Sequence, residues 1–373
     1  MADIKTHLRE LSVATTIGLL KNGVRFSVQD LYNSRQFYQY ASEVISNNIS
    51  SARNILLEPV YVGELRSIVD NGYKLGKKIY ECNHFDISQD DEILWLGNDT
   101  QKGDPIDIYV GHYGFSLKEE SFILKNMGLY ELLNCMTGSH FRRGLHVFAD
   151  FASYEYDTWF AYTWEQLVAY LKRNTRWILH NDRYVSECYI QGNYVVFNFN
   201  NQTERVSVGI KTNKQFMENT SSVIREKVFA KWIKEVLSDD NRYTVLKREC
   251  SEAAGEQICN YITENYSPAS VYRFFQVYDR EYYYAKTTHL ETTVLRVPDK
   301  ASFPSVIQLS GCRFDVPKSQ LNVCSTFVNT RTGRQIEFRN ECRFSHGQFN
   351  GTPEAKMYVA RDTSLADIYE PIL

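Results

Sequence analysis

The sequence predicts a mixed α+β protein in which helical and strand-forming segments are partly segregated along the chain. Apolar residues recur at helical spacing in the first part, for example over residues 61–82. Residues 175–210 alternate between apolar and polar side chains, and Asn-Asp and Gly-Asn pairs separate these segments as in hairpins. Beyond residue 266 the pattern is mostly that of strands. Together these observations favour an α+β architecture.

Length and composition limit the domain organisation and the class of protein. The chain has 373 residues, and a single compact domain usually stops growing near ~250–300 residues. We therefore expect a first domain over 1–175 with N-terminal helices and a strand-rich second domain over 176–373. Apolar residues at 43% and charged residues at 23% are ordinary for a globular protein. The net charge of −3 counts against an overall basic surface but permits a local basic groove.

The sequence predicts a cytoplasmic protein. The first residues contain acids and lack the apolar core of a secretion signal. We find no apolar run near the ~18 residues of a membrane span, so no membrane association is expected. The eight cysteines form no C-x-x-C pair, which argues against a zinc ribbon. Free thiols are the expected state of such cysteines in the cytoplasm.

The elements of the first half follow from local patterns. Residues 28–50 have mixed helical character, and 61–82 predict a helix although Gly72 and Gly76 weaken the pattern. Strands are expected over 93–96, 106–110 and 115–118, with a turn at 111–114, and helices over 121–136 and 158–173.

The second half begins with the four strand segments of 175–210. Helices are then predicted over 214–238 and 251–265. Strands follow around 306–309, 325–329 and 335–344. Thr332-Gly333 suits a hairpin turn between the last two.

Acidic residues and a lysine concentrate around the predicted hairpin 106–118. If its turn is His112-Tyr113, Asp107 lies directly opposite Lys118, with Cβ atoms roughly 5 Å apart on one face. Glu119 and Glu120 would add oxygens where the strand ends. Mg²⁺ prefers such oxygen ligands, and a bound Mg²⁺ can assist hydrolysis of a phosphodiester.

These residues resemble the catalytic core of the PD-(D/E)xK nuclease superfamily, to which many type II restriction endonucleases belong. The resemblance covers about residues 60–135 and implies a restriction-endonuclease-like core of a mixed β-sheet flanked by helices, with an additional β-rich region. Asp107 matches the acid of the first strand and Lys118 matches the lysine of the next. Ser116 replaces the usual second acid, as in Ser-x-Lys variants of the superfamily.

The resemblance also implies roles for neighbouring acids. Variants with Ser-x-Lys recruit a glutamate from the following helix, for which Glu131 lies at the expected distance and Glu120 is the closer alternative. Glu64 is the candidate for the glutamate of the preceding helix. The catalytic candidates are therefore Asp107, Lys118, Glu120, Glu131 and Glu64, and the candidate Mg²⁺ ligands are Asp107, Asp104, Glu120 and Glu131.

The segment 329–356 concentrates side chains that can bind DNA. Arg, Asn and Gln recognise base edges in the major groove, and the remaining polar groups can hold phosphates. The candidates are Arg339, Arg343, Asn340, Arg331, Arg334 and Gln348, with Arg142 and Arg143 of the GSHFRRG loop as further phosphate contacts. The alternative is a β-hairpin with a solvated basic face, which pairing of the arginines with Glu337, Glu341 or Glu354 would favour.

The sequence as a whole predicts a Mg²⁺-dependent endonuclease that cuts double-stranded DNA at a specific sequence, as a type II restriction enzyme does. A homodimer is expected, because one two-fold axis would present one site to each antiparallel strand. Three alternatives remain open. Asp107 and Lys118 can form a solvated pair contributing under ~1 kcal/mol. The chain can also be a non-catalytic DNA-binding protein, or a structural or protein-interaction module.

Overall fold

The computed structural model describes two compact units, each assembled from separate chain segments. The described residues are 4–57, 65–97, 105–118, 123–142, 146–181, 183–287, 291–303, 307–360 and 364–373, with the backbone alone at 123–126. The first unit comprises Met1–Phe122, Phe275–Pro304 and Ser364–Leu373, and the second comprises Ile123–Phe274 and Ser305–Thr363. This division differs from the expected boundary between 175 and 176, because late strands complete the sheet of the first unit.

A central buried helix organises the first unit. Its helices are α1 (Ile4–Lys21), α2 (Val28–Leu31), α3 (Ser34–Val44), α4 (Ile49–Leu56) and α5 (Arg66–Glu81). In α1, every residue from His7 to Leu19 is buried. Burial on all sides is typical of a helix inside a core, so the polar residues of α1 are also placed in the interior.

Two glycines let α5 pack closely against α1. A Cβ at Gly72 would lie 2.6 Å from Cβ of Ser12, and one at Gly76 would lie 2.9 Å from Cβ of Thr16. Residues four apart share a helix face, so the glycines form one contact stripe. The two residues that weakened the helical pattern are therefore the ones that permit the packing.

The sheet of the first unit is mixed and has the strand order β1-β2-β3-β9-β10-β15. Its strands are β1 (Ile93–Trp95), β2 (Ile108–Val110), β3 (Tyr113–Lys118), β9 (Tyr282–Thr287), β10 (Thr292–Val297) and β15 (Glu370–Pro371). β3 pairs with β9 in parallel, and the other neighbours pair antiparallel. β3 thus lies inside the sheet, between a hairpin partner and a strand from late in the chain.

The second unit contains two antiparallel sheets. One has the order β11-β12-β13-β14-β4 and the other β5-β6-β7-β8. The strands are β4 (Ile123–Gly128), β5 (Arg176–Asn181), β6 (Tyr184–Gln191), β7 (Tyr194–Phe199), β8 (Gln202–Ser207), β11 (Ile307–Asp315), β12 (Asn322–Asn329), β13 (Gln335–Arg343) and β14 (Glu354–Val359). The predicted four-strand meander and the hairpin at Thr332-Gly333 are confirmed.

The predicted helix over 121–136 is wrong in its first half. Residues 123–128 form β4, which pairs with the distant β14, and a helix begins only at Leu129. Local apolar spacing contains no information about such a distant partner. The pairing therefore overrides the helical pattern.

The helices of the second unit are α6 (Leu129–Thr137), α7 (Val147–Phe151), α8 (Ser153–Asn174), α9 (Asn213–Glu218), α10 (Ser222–Ile224), α11 (Ala230–Val236) and α12 (Asn241–Asn265). A π-helical turn, Arg225–Phe229, connects α10 to α11. The predicted helix over 214–238 is interrupted near Ser221, whose hydroxyl accepts a hydrogen bond from the Ile224 amide as an N-cap. Serine favours such caps over helix interiors, which explains the break.

All eight cysteines are free thiols, as expected. Across the described residues, none of the helices is long and apolar enough to cross a bilayer.

Candidate active site

The hairpin that carries Asp107 and Lys118 has a different register from the expected one. Ile108 pairs with Phe115 and Val110 with Tyr113, so the turn is Gly111-His112. Gly111 has φ of 56°, a conformation that glycine adopts without strain. Continuing this register would bring Asp107 level with Ser116 instead of Lys118. Because the shift is two residues, Asp107 and Lys118 still point to the same face of the sheet.

Asp107 and Lys118 meet across this face. The Lys118 Nζ lies 3.8 Å from Asp107 Oδ2, and the side chains are 27% and 18% exposed. The Leu117 amide donates a hydrogen bond of 2.6 Å to the same Asp107 oxygen. Because β2 begins only at Ile108, the Asp107 carboxylate accepts the hydrogen bond that the Leu117 amide would otherwise make to a backbone carbonyl. The Asp107–Lys118 pair therefore belongs to the end of the β2–β3 hairpin and is not a freely solvated pair.

Glu10 of α1 joins this pair. It is 2% exposed, and its Oε2 accepts a hydrogen bond of 2.8 Å from Trp95 Nε1. Burial and the nearby Asp107 raise the pKa of Glu10 to about 8, whereas Trp95, Arg9 and Lys118 lower it. A carboxyl group whose pKa is raised by burial and by a neighbouring acid is typical of functional sites, although structural networks produce such shifts too.

Basic groups surround the two acids. Burial raises the pKa of Asp107, while Lys118, the Leu117 amide, Arg9 and His7 favour its ionised form. Arg9 and His7 are 6% and 5% exposed. The cluster formed by Glu10, Asp107, Lys118, Arg9 and His7 thus places two acids beside two cations, Lys118 and Arg9, and an imidazole. Hydrogen bonds and opposite charges of this kind allow ionisable groups to be kept in a protein interior.

Sequence reasoning missed Glu10. It had assigned the helical glutamate to Glu64, which lies outside the described residues. The available signal was an acid within the segment that forms α1, between Leu8 and Leu11. An ionisable residue in a buried helix needs a partner in the core, and here the hydrogen bond comes from Trp95 of β1 and the nearby charges come from the hairpin.

The donor set suits a divalent cation only in part. Glu10 and Asp107 offer carboxylate oxygens, the ligands that Mg²⁺ prefers. No group of three His, Cys, Asp or Glu residues arranged for a metal ion occurs among the described residues. The predicted ligands Asp104 and Glu120 lie outside them. The described residues therefore supply two candidate ligands, and a third would have to come from elsewhere.

Glu131 lies in the second unit. It occupies the first turn of α6 and is half-buried. Its expected role as a ligand beside Asp107 stays a prediction.

Strand alternation divides the candidate DNA-binding residues of β13 between two faces. Ile336, Phe338, Asn340 and Cys342 are buried. Asn340 is 0% exposed, and its Nδ2 donates to the Val323 carbonyl oxygen at 3.2 Å. The expectation that Asn340 contacts a base edge is therefore wrong for this conformation, because residues two apart share a face and its neighbours form the core.

The arginines of β13 lie on the outer face and already have partners. The Arg343 Nη2 donates to Glu341 Oε2 at 2.8 Å, and the Arg339 guanidinium lies 5.0 Å from the Tyr358 ring centroid. On β11, which β12 separates from β13, Arg313 pairs with Glu337 of β13 at 2.8 Å. This part of the segment therefore has mixed charge, as the alternative of a solvated hairpin face requires.

The remaining candidates are scattered over the second unit. Arg331 and Arg334 are exposed in the turn of the β12–β13 hairpin, and Arg142 is exposed after α6. Arg143 lies outside the described residues. Gln348 is half-buried, and its carbonyl oxygen accepts a hydrogen bond of 2.6 Å from the Tyr156 hydroxyl.

No family model, no curated protein and no solved structure matches this chain. The functional argument therefore depends on the geometry of the residues themselves.

Proposed function

We propose that this protein is a Mg²⁺-dependent endonuclease that hydrolyses phosphodiester bonds in double-stranded DNA, as a type II restriction enzyme does. The observation that supports the proposal best is the buried carboxyl group of Glu10 and the half-buried one of Asp107 beside the Lys118 ammonium. Desolvation makes such an arrangement costly. Acids with shifted pKa values are enriched at active sites, where carboxylates can hold the metal that assists phosphodiester hydrolysis.

The arrangement supports membership of the PD-(D/E)xK superfamily in a modified form. Asp107 precedes β2, Ser116 and Lys118 lie on β3, and the mixed sheet packs against helices. In this proposal Glu10, instead of Glu64, is the glutamate of the preceding helix, since α1 precedes these strands in the chain. In this proposal the first unit is the restriction-endonuclease-like core.

Glu10, Asp107 and Lys118 have separate roles in the proposed reaction. Glu10 and Asp107 would hold Mg²⁺, with Glu120 as a further proposed ligand, and the ion would supply a polarised phosphate and an activated water. Lys118 would orient the attacking water and offset negative charge that develops on the phosphate. Trp95 fixes Glu10, and the Leu117 amide fixes Asp107, so both carboxyl groups are oriented before the metal binds.

The proposed partner is duplex DNA, and the proposed active form is a cytoplasmic homodimer. One cluster of this kind occurs in the described part of the first unit. A two-fold dimer would bring one cluster to each strand of a palindromic target. Sedimentation of the protein alone and with duplex DNA tests this part, and a monomer in both conditions contradicts it.

Cleavage assays test the catalytic proposal. Mixed-sequence duplex DNA is incubated with the purified protein in Mg²⁺ or in a chelator, and discrete fragments are expected only with Mg²⁺. Asp107→Asn should abolish cleavage while keeping an acceptor for the Leu117 amide. The matched control is Lys77→Met, which removes a lysine whose Nζ lies 3.7 Å from the exposed Glu81 and should leave cleavage unchanged.

Two results would contradict the proposal. Normal cleavage by Asp107→Asn would show that the active site lies elsewhere. Absence of cleavage across divalent metals, with modified and unmodified DNA, would reject the endonuclease. Salt-sensitive binding without cleavage would then identify a non-catalytic DNA-binding protein. Absence of binding at low salt would favour an interaction module.

A further inference from the structure

A cavity of about 590 Å³ in the second unit is lined by an excess of basic side chains. Lys231 and Lys234 come from α11, Lys247 comes from α12, and Lys318 comes from the turn that precedes β12. The opposite wall is the loop 344–348 that follows β13. Four lysines therefore converge on one concave surface.

These lysines have no acidic partners within the part of the chain that the structure describes. The one carboxylate that lines the cavity, Glu226, already binds Lys227 at 2.5 Å and His346 Nδ1 at 3.2 Å. Lys231 and Lys234 are three residues apart on one helix face, a spacing at which like charges destabilise the helix. The cavity thus concentrates positive charge that the protein itself does not neutralise.

Burial adds to the cost of this charge. Lys247 is half-buried, and burial lowers the pKa of its ammonium group. A partly desolvated cation without a counter-ion is unfavourable. An anion in the cavity would relieve both the desolvation of Lys247 and the repulsion between its neighbours.

Tyr243 contributes part of its ring to the cavity wall. It lines the cavity and is 5% exposed. Its Oη is fully buried and has no hydrogen-bond partner among the described residues, so the hydroxyl does not face the cavity in this conformation.

The backbone around the cavity is also unusual. Lys318 and Ser319 have φ of 50° and 60°, left-handed values that cost energy for residues with a side chain. Gly347 has φ of 105°, and a Cβ there would lie 2.7 Å from Cβ of Ala230. The glycine allows the loop to close the cavity wall against α11.

We propose that this cavity binds a phosphate-bearing ligand of about nucleotide size, either as a free nucleotide or as part of a nucleic-acid strand. Four cations suit phosphate oxygens, and the half-buried ring of Phe344 offers a surface for a base. A second cavity of about 430 Å³ shares Lys247, Phe344, Ser345 and Gln348 and adds Arg343 together with its partner Glu341. The two cavities therefore share part of their walls. This proposal does not rest on the nuclease proposal, because its residues belong to the second unit.

Direct binding measurements test the proposal. Inorganic pyrophosphate, adenosine triphosphate and a labelled oligothymidine of about twelve nucleotides are titrated into the full-length protein in chelator, so that cleavage cannot interfere. The double variant Lys231→Gln/Lys234→Gln should weaken binding at least about tenfold and lower the dependence of log Kd on log salt by about 2. The matched control, Lys172→Gln/Lys211→Gln, makes the same charge change on α8 and after β8 and should bind like the wild type.

Phe344→Leu separates a specific site from general positive charge. This variant removes the ring on which a base can stack and changes no charge, so we expect weaker binding of the triphosphate and the oligonucleotide, unchanged binding of pyrophosphate and an unchanged salt dependence. Binding of pyrophosphate or the triphosphate supports a free phosphorylated ligand, and binding of the oligonucleotide alone supports a strand. Lack of binding by all three probes at low salt overturns the proposal. Equal affinities of the wild type and the double variant overturn it as well.

Discussion

In the first unit Lys118 lies 3.8 Å from Asp107, whereas in the second unit Lys231, Lys234, Lys247 and Lys318 line a cavity without a described acidic partner. Lys118 is partly buried, and of the second group Lys231 and Lys247 are half-buried whereas Lys234 and Lys318 are exposed. In the first unit, the opposite charges come from the chain, so the lysine helps to stabilise the ionised carboxyl groups of Glu10 and Asp107. In the second, no acidic partner among the described residues offsets the charges. The comparison separates a lysine that contributes to stability from lysines that can bind the proposed ligand.

The largest change in the free energy of unfolding should follow the removal of the Lys118 ammonium. Lys118→Met leaves the half-buried Asp107 without the cation at 3.8 Å. Removing one partner of a fully buried pair costs about 3–5 kcal/mol, so we expect this partly exposed pair to lose less, about 2 kcal/mol of unfolding free energy. Urea denaturation at pH 8 measures this loss. Lys77→Met, which breaks the exposed pair with Glu81, should cost under about 1 kcal/mol. Equal losses in the two variants would show that the cluster around Asp107 is solvated.

The stability of the protein should decrease with rising pH because Glu10 is protonated in the folded state. The folded pKa of about 8 exceeds the ordinary value of 4.5, so the folded protein binds a proton that the unfolded chain releases. The resulting stabilisation is fully present below pH ~4.5 and is lost as the pH rises through about 8. The slope should be at most about 1.4 kcal/mol per pH unit between those values.

Glu10→Gln is the variant that isolates this effect. The amide keeps an acceptor for Trp95 and cannot ionise, so the decrease in stability between pH 5 and 8 should become smaller by about that slope. Thermal unfolding across this pH range provides the measurement, with the exposed Glu81→Gln as the control. If the wild type and Glu10→Gln have parallel pH profiles, the raised pKa of Glu10 is incorrect.

The smallest expected change in stability is a gain, in contrast to the loss expected for Lys118→Met. Lys231→Gln removes repulsion from Lys234 and should raise the unfolding free energy by about 0.2–0.5 kcal/mol at low salt, with no gain at high salt. Lys211→Gln instead loses the ion pair with Glu165, at 3.0 Å, and should slightly destabilise the protein. Chemical denaturation at two salt concentrations compares the variants. A destabilised Lys231→Gln would mean that this lysine has a partner in the folded chain.

The sequence was sufficient to predict those helices and strands that depend on the local pattern of apolar and turn residues. The helix around 66–81 and the meander over 176–207 follow from apolar spacing and turn residues. β4 and the parallel pairing of β3 with β9 depend on partners far along the chain, which local periodicity cannot identify.

The site was predictable to a similar extent. Asp107 and Lys118 share a face because they lie on one hairpin, and even a register error of two residues preserves that relation. Glu10 could not be placed, because it reaches the hairpin only after α1 is buried in the core. Asn340 could have been recognised as buried from its alternation with Phe338 and Cys342. The error arose because the polar composition of the segment was given more weight than the position of Asn340 on the inner face of the strand.

The parallel pairing of β3 with β9 also has a consequence for synthesis of the protein on the ribosome. Ser116 and Lys118 lie on a strand whose neighbour on one side is Tyr282–Thr287. At about 5–20 residues per second, this neighbour emerges on the order of ten seconds after the hairpin. Until then β3 is an edge strand with unpaired backbone groups. A nascent or truncated chain thus carries Asp107 and Lys118 without the completed sheet that supports them, and we expect the proposed DNA-cutting activity to arise only once translation is nearly finished.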